Sequence, residues 1–549
     1  MNTRYTSSWY TGTNLFEYTS GRFLFNEEFR RAERRIQFDV NALAAVICRA
    51  TDRHISELAS IQKLAEGGFN RVLQATFNDG YEVLARLPYH HTVPKHHVIA
   101  SEAATLGFLH SCGIPVPKVI GYSPVNTNTV GTEYLLYEKV DGTPLSNQWF
   151  TMDNKTRTKI MRQIVRLEKQ FMSISFPASG SIYYRRDLEP SDICVSLPEP
   201  QSTLKAEMVI GPTTQSQWWN QERASLDVDR GPWKTFLGCF EAPAKREIAF
   251  CQRFGRPRLH VERYLREMHD FKKQYPTVHA QLLSEYMQLA PYLQIPSGHR
   301  FSRPVLRHPD LSPSNILVNS SCEIVGIIDW QYAVALPLCL CAGIPNHFQN
   351  WGDPLSETLA KPEVNLPEDF DDLGQDEQEA VKETMRRRLV HFYYAALTLK
   401  HMPDHFDALR EENSMLRAQL YDRARKPWEG DSLSLKYAIV QACQNWPMRL
   451  EHAPSTSESV DDCPVKYSEE DIRECTNQHD EEQERLEELS EMREYIGIDS
   501  LGWVPDDEQY DRSRAIVQTV KAGLLEYSNT EMERRAVQEH FPFDDHDDV

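Results

Sequence analysis

The sequence predicts an α+β chain of two lobes: a small lobe on a five-stranded antiparallel sheet with one helix, and a large, mainly helical lobe. Three observations carry that expectation. Between residues 60 and 140, short runs of β-branched and apolar residues alternate with glycine- and asparagine-bearing turns, and one helical stretch lies among them. From about residue 145 the pattern changes to longer helical segments joined by loops. The charge is also segregated: 29 of the 80 acidic but only 9 of the 60 basic residues fall in 451–549, which leaves 51 of each in the first 450, so a neutral body carries an acidic tail.

The elements follow in order. Residues 22–55 alternate charge with apolar residues at helical spacing, with Arg30, Arg31, Glu33, Arg34 and Arg35 marking a solvated helix face and a second short helix over 41–50. Strands are expected over 60–64, 71–76 and 82–87. Gly67-Gly68 separates the first two, and Asn78-Asp79-Gly80, a strong hairpin signal, separates the second from the third. A helix over 98–110 stops at Gly113, and strands over 116–122 and 133–139 complete the meander. Residues 145–300 read as mainly helical with long loops. Short strands return at 305–306, Ile316–Val318 and 324–328, and helices over 376–450 are broken by Lys426-Pro427. Pro454, Ser455, Ser457 and Ser459 mark a polar linker over 452–470. Beyond it Leu486, Leu489, Met492 and Ile496 share one face of an acidic helix ending at Gly497, and a last helix is expected over 513–526. The expected organisation is an extension (1–55), a small lobe (56–145), a large lobe (146–452) and an acidic linker with a helical tail (453–549).

Composition excludes several classes. With 40% hydrophobic and 26% charged residues the chain is neither fibrous nor wholly disordered. Mean hydropathy is -0.54, and no run approaches the ~20 apolar residues that a transmembrane helix needs. The neutral body offers no basic face for a nucleic acid. The 11 cysteines include no CxxC pair and fit free thiols in a reducing compartment. No secretory signal follows Met1, and Arg4 as the one base in the first 20 residues makes a poor mitochondrial presequence.

The chemistry concentrates in Arg307-His308-Pro309-Asp310-Leu311-Ser312-Pro313-Ser314-Asn315 and Ile327-Ile328-Asp329-Trp330. Phosphoryl transfer needs a carboxylate beside the acceptor hydroxyl and oxygen ligands on Mg²⁺. Asp310 and Asn315 can share one loop, the first facing the acceptor and the second a metal. Asp329, after an apolar strand, supplies the other ligand to a cation that takes few protein carboxylates. Gly67-Gly68, between two strands, lets backbone N–H groups approach phosphates. The bland alternative is a polar turn rich in Asp, Asn, Ser and Pro, with Asp329 capping a helix.

The segment His308–Asn315 with Asp329-Trp330 resembles the aminoglycoside phosphotransferase and choline-kinase-like branch of the protein-kinase-like fold. The resemblance implies Asp310 as catalytic base, His308 as a structural histidine, and Asn315 and Asp329 as metal ligands. Gly67-Gly68-Phe69-Asn70 is similar to the family's G-G-x-x-N loop, with Asn70 one position early. Arg86 stands where the family has lysine; it keeps the charge in a longer, forked group, and Glu102 on the next helix is its implied partner. Glu138-Lys139-Val140-Asp141-Gly142-Thr143-Pro144-Leu145 resembles the interlobe linker, whose backbone around Tyr137, Glu138 and Lys139 is implied to bind adenine. ATP and Mg²⁺ are therefore the implied cofactors, and a hydroxyl-bearing acceptor is the implied substrate. Segments Tyr18–Glu28 and Pro427-Trp428-Glu429-Gly430-Asp431 narrow the likeness to a fungal group of the altered-inheritance-of-mitochondria-9 type. That implies a mitochondrial location, with cytoplasm as the alternative from the N-terminus itself.

Two other readings stand beside the kinase. A nucleotide-binding pseudokinase or scaffold is suggested by Arg86 and by the tail, whose sharper reading is a docking segment for a protein partner and whose bland one is a solvated helix pair. A metallohydrolase would use His90, His91, His96 and His97, a spacing unlike common zinc sites. Trp218, Trp219, Trp233, Tyr183 and Tyr184 are acceptor-pocket candidates, with core packing as the default for each.

Overall fold

The computed structural model describes residues 15–197, 208–363, 365–446 and 463–546. Most of the expected polar linker, and all of its prolines and serines named above, lie outside the described residues.

The small lobe takes the expected form. Helix α1 (Val40–Ala50) is capped by Asp39, whose carboxylate accepts from the Ala42 N–H at 2.9 Å, and it buries Leu43, Ala44, Ile47 and Cys48. Strands β1 (Leu58–Glu66), β2 (Asn70–Phe77) and β3 (Glu82–Pro88), helix α2 (Lys95–Ser111), and strands β4 (Val119–Ser123) and β5 (Tyr134–Glu138) follow. The sheet is antiparallel throughout, in the order β1-β2-β3-β5-β4. The β2–β3 turn closes at Gly80, whose φ of +84° favours glycine. Helix α2 is buried along nearly its whole middle, from Val98 to Leu109. A helix apolar all round is a core helix, and this one lies between the sheet and the large lobe with Glu102 enclosed in it.

The N-terminal region departs from expectation in one respect. Its first helix runs only over Glu27–Glu33, and Arg34, expected on a solvated face, is buried. The Arg34 guanidinium pairs with the Glu33 carboxylate, donates to the Arg30 carbonyl at 2.9 Å and lies 4.9 Å over the Phe23 ring, so its charge is met within the fold.

The large lobe is built on helices α3 (Asn154–Met172), α4 (Phe236–Arg253), α5 (Pro276–Leu289), α6 (Gln375–His401), α7 (Pro403–Arg410), α8 (Glu412–Ala424) and α9 (Leu433–Gln444). A three-stranded antiparallel sheet of Ser181–Tyr184, Met208–Gly211 and Val195–Ser196 interrupts the region expected to be helical. Its two longer strands are buried on both faces. Such strands show no period-two alternation, so hydrophobic periodicity cannot separate them from buried helix. Trp218, Trp233 and Tyr183 are core residues, as the default held.

The tail forms helices α10 (Glu469–Ile496), α11 (Asp507–Tyr527) and α12 (Glu531–His540), with α10 ending at Gly497 in the left-handed region. Its apolar face is covered by the chain's own beginning. Leu489 and Ile496 pack with Phe25, Val504, Tyr510, Val517, Phe541 and Phe543, and Arg22–Phe23 pairs antiparallel with Trp503–Val504. Ion pairs Arg485–Glu267 and Arg493–Glu262, both 2.9 Å, tie α10 to the large lobe. Truncation after residue 455 is therefore expected to lower the melting temperature and to raise binding of a hydrophobic dye. An unchanged melting curve would return the tail to a solvated appendage.

Candidate active site

The site begins at the β1–β2 hairpin. Gly67 donates its N–H to the Asn70 carbonyl at 2.9 Å, and the Gly68 carbonyl lies 2.8 Å from His91 Nε2. A side chain at Gly68 would meet nothing within 4 Å, so the turn edge is open. The buried Asn70 amide donates from Nδ2 to Gln331 Oε1 at 2.7 Å.

Arg86 is the hinge of the arrangement. It sits on β3 opposite Val72 of β2 and Leu135 of β5, which aims it under the sheet into the cleft. Nη1 donates to Glu102 of α2, while Nη2 donates to Asp329 Oδ1 at 2.6 Å and to Gln331 Oε1 at 3.0 Å. Burial works against the guanidinium charge, but the charges of Glu102 and Asp329 outweigh it and hold Arg86 protonated. Burial pushes the Glu102 carboxyl up to about 7, with Arg86 pulling the other way. Asp329 is raised by burial and lowered more by the charge and hydrogen bond of Arg86, so it lies below the usual carboxylate range.

The other wall is a short hairpin, β6 (Ile316–Val318) and β7 (Ile324–Ile327), and the loop before it. His308 is buried, and its ring fixes both ends of that loop. Nδ1 accepts the Asp310 N–H at 3.1 Å, and Nε2 donates to the Ile328 carbonyl at 2.9 Å. Burial keeps the imidazole below its ordinary pKa and hence neutral, as this pair of bonds requires. The Ile328 N–H donates to the Asn315 carbonyl at 2.9 Å, which brings Asp329 beside the loop. Asn315 Nδ2 donates to the Asp310 carbonyl at 2.9 Å and to Asp310 Oδ2 at 3.2 Å. Those bonds leave Asn315 Oδ1 without a protein donor among the described residues. Asp329 has φ +66°, a left-handed backbone uncommon outside glycine, and its side chain is 45% exposed to the cleft. The donor set thus suits a hard dication: one cleft-facing carboxylate, shared with Arg86, and one amide oxygen, with room for phosphate oxygens.

The family model described as "Phosphotransferase enzyme family" matches residues 60–339, a span that holds both walls of this cleft. The chain belongs to that family. A subtelomeric hrmA-associated cluster protein of Aspergillus fumigatus is 34% identical over 81% of this chain and 89% of its own. The protein named "Altered inheritance of mitochondria protein 9, mitochondrial" of Clavispora lusitaniae is 24% identical over 90% of this chain and 86% of its own. Among solved structures, ADP-bound aminoglycoside phosphotransferase APH(2'')-Ib is 12% identical and overlaps 80% of this chain and 96% of that one. Its TM-score of 0.33 is too loose for any residue correspondence.

In this phosphotransferase-family chain a cavity of about 410 Å³ opens against Asp310, whose side chain is 59% exposed. Gln215–Gln217, Asn346, Asp422 and Arg425 line it, from the insert and from the segments after residue 340. None of Tyr183, Tyr184, Trp218, Trp219 and Trp233 does so. Sequence reasoning missed Gln331, which joins Arg86 to Asn70, and His347, whose Nε2 lies 3.5 Å from Asp310 Oδ1. Gln331 was within reach of sequence, being two residues after Asp329; nothing in the Asn346-His347-Phe348 stretch signals a site.

The N–H groups of Glu138 and Lys139 donate inside the fold, to the Lys118 carbonyl at 3.0 Å and the Glu82 carbonyl at 3.4 Å. These two donors therefore serve the sheet and not a base edge. The histidines after β3 share no common centre among the described residues: His91 faces Gly68, while His96 and His97 meet edge to face at 5.3 Å, His96 Nε2 on the Asp187 carbonyl at 2.8 Å and His97 stacked on Trp219 at 5.0 Å.

Proposed function

We propose that the protein is an ATP- and Mg²⁺-dependent phosphotransferase that moves the γ-phosphoryl group to a hydroxyl of a small acceptor seated in the Asp310 cavity. One observation carries the reading: the Asp310 carboxylate opens into that cavity while Asn315, bonded to it through Nδ2, is tied by its carbonyl to the Ile328 N–H next to Asp329. A volume of about 410 Å³ falls in the range of small-molecule sites, about 300–1,000 Å³. Asp310 orients the acceptor hydroxyl and takes its proton. His308 acts as a positioning residue, since it holds the Asp310 backbone and touches no substrate. The turn at Gly67 and Gly68 covers the phosphates, Arg86 clamps them, and Glu102 holds Arg86. Asn315 and Asp329 hold the metal, which when bound gathers phosphate charge. The backbone around Tyr137, Glu138 and Lys139 flanks adenine through its carbonyls. The mitochondrial names of relatives place the protein in that organelle in this reading.

The scaffold reading is favoured by the Arg86–Asp329 ion pair, because a metal and Arg86 compete for one carboxylate. Thermal unfolding with and without ATP and Mg²⁺ tests the nucleotide site. Ligand at 100 times its dissociation constant stabilises by about 2.7 kcal/mol. The expected result is a Mg²⁺-dependent shift that Asp329→Ala loses. No shift with ATP, GTP or ADP would end the phosphotransferase reading.

A further inference from the structure

The Pro427-Trp428-Glu429-Gly430-Asp431 segment takes no part in the cleft. It joins α8 to α9 and lies against the chain that follows α4. The Val261 N–H donates to the Glu429 carbonyl at 3.1 Å, and the Trp428 N–H to Glu247 Oε1 at 2.7 Å. Gly430 has φ +86°, and a Cβ there would stand 2.4 Å from the Leu259 carbonyl oxygen. That close approach sets Asp431 beside His260. Helix α10 crosses the same spot and brings Glu482. One ligand atom from each of His260, Asp431 and Glu482 lies within 4.8 Å of the others.

Two of these groups are buried with one polar atom each left without a hydrogen bond. His260 is 4% exposed and Glu482 7%, yet His260 Nε2 and Glu482 Oε2 have no hydrogen bond. Unpaired polar atoms in such places are costly and call for an explanation. Asp431 accepts from the Leu433 N–H at 2.8 Å and from Ser434 Oγ at 3.2 Å, which fixes its carboxylate and leaves lone pairs free. Among the described residues no lysine or arginine forms an ion pair with either acid. One turn before Glu482 on α10, His479 Nδ1 is also buried and unpartnered, 3.9 Å from Glu482 Oε2.

We propose that His260, Asp431 and Glu482 form a structural site for a first-row transition-metal dication, zinc above all, which staples the acidic tail to the large lobe. Two carboxylates and a neutral imidazole balance a dication's charge, and imidazole selects zinc-type ions over Mg²⁺ and Ca²⁺. His260 Nδ1 lies 3.1 Å from the Glu262 carbonyl. The Glu262 N–H also donates to Nδ1 at 3.0 Å, so without metal the ring proton sits on Nε2, and zinc binding moves it to Nδ1, which faces the Glu262 carbonyl, as in a ligating histidine. Donors about 2.1 Å from one zinc stand about 3.4 Å apart, so the three side chains draw together on binding. His479 stacks on Tyr437 beside Glu482, and water completes the coordination.

The test uses the full-length protein, stripped with EDTA and then titrated with Zn²⁺, or with Co²⁺ for its visible absorption. One equivalent of zinc is expected to stay bound through gel filtration and to raise the melting temperature of the stripped protein. Glu482→Gln and His260→Gln are each expected to lose at least about 10-fold in zinc affinity. In EDTA they should melt with the stripped wild type, which separates lost metal from lost fold. Asp329→Ala should keep the zinc, which separates this site from the cleft. Gly430→Ala, with every donor retained, should weaken zinc by lifting the loop off Leu259. Wild type that holds no zinc, or Glu482→Gln that holds it as tightly as wild type, overturns the proposal.

Discussion

Asp310→Asn is expected to slow phosphoryl transfer by about 10²–10⁴-fold, the usual worth of a positioned general base, with nucleotide affinity nearly unchanged. The substitution keeps side-chain size and leaves the Asp310 N–H on His308 Nδ1, so the loop keeps its shape. It removes the proton acceptor from the mouth of the cavity. It also disturbs the 3.2 Å contact to Asn315, where an amide must turn its oxygen to remain an acceptor. That adjustment stays within the loop, because Asn315 Nδ2 keeps its second bond, to the Asp310 carbonyl. Single-turnover transfer to a responsive acceptor, beside ATP-dependent unfolding of the same variant, checks both halves. Equal rates in variant and wild type would remove Asp310 from the base role. Equal losses of binding and turnover would make it part of the nucleotide site.

The core of this site was legible because it is local. Asp310 and Asn315 sit on one loop, and Asp329 follows the adjacent strand, so spacing alone brings all three together. The small-lobe sheet was legible for a similar reason: its turns carry glycine and asparagine, and its strands pair with near neighbours in sequence. What escaped depends on distant contacts. His347 reaches Asp310 from a loop with no periodic signal. The Arg86–Asp329 pair spans 243 residues, and sequence placed both groups in the cleft without showing that they touch. The tail gave away its apolar face but not its partner, since nothing in Leu489 or Ile496 names Phe25. Likewise the spacing of His260, Asp431 and Glu482 matches no zinc signature, because three separate segments supply them.

The Arg86–Glu102 pair gives the largest stability effect expected of a single substitution. Both groups are buried, and Glu102 Oε2 already lacks a partner. Arg86→Met keeps most of the stem but strands the acid, a change that typically costs about 3–5 kcal/mol. The loss should depend on pH in a definite sense. Burial already raises the Glu102 carboxyl from 4.5 to about 7, and without Arg86 nothing named among its causes pulls it down. An acid whose pKa is raised by folding takes up a proton on folding, so its destabilising effect is absent below 4.5 and grows as the pH rises through about 7. Arg86→Met should therefore be closer to wild type at pH 5 than at pH 8. Adding Glu102→Met removes the stranded acid, and the double variant should recover much of the loss, because well-packed apolar residues often replace a buried ion pair at little cost. Denaturant unfolding of the two single variants and the double at both pH values measures the coupling. Additive losses with no pH dependence would show that Arg86 acts through Asp329 and the cleft, and that Glu102 is not what keeps it in place.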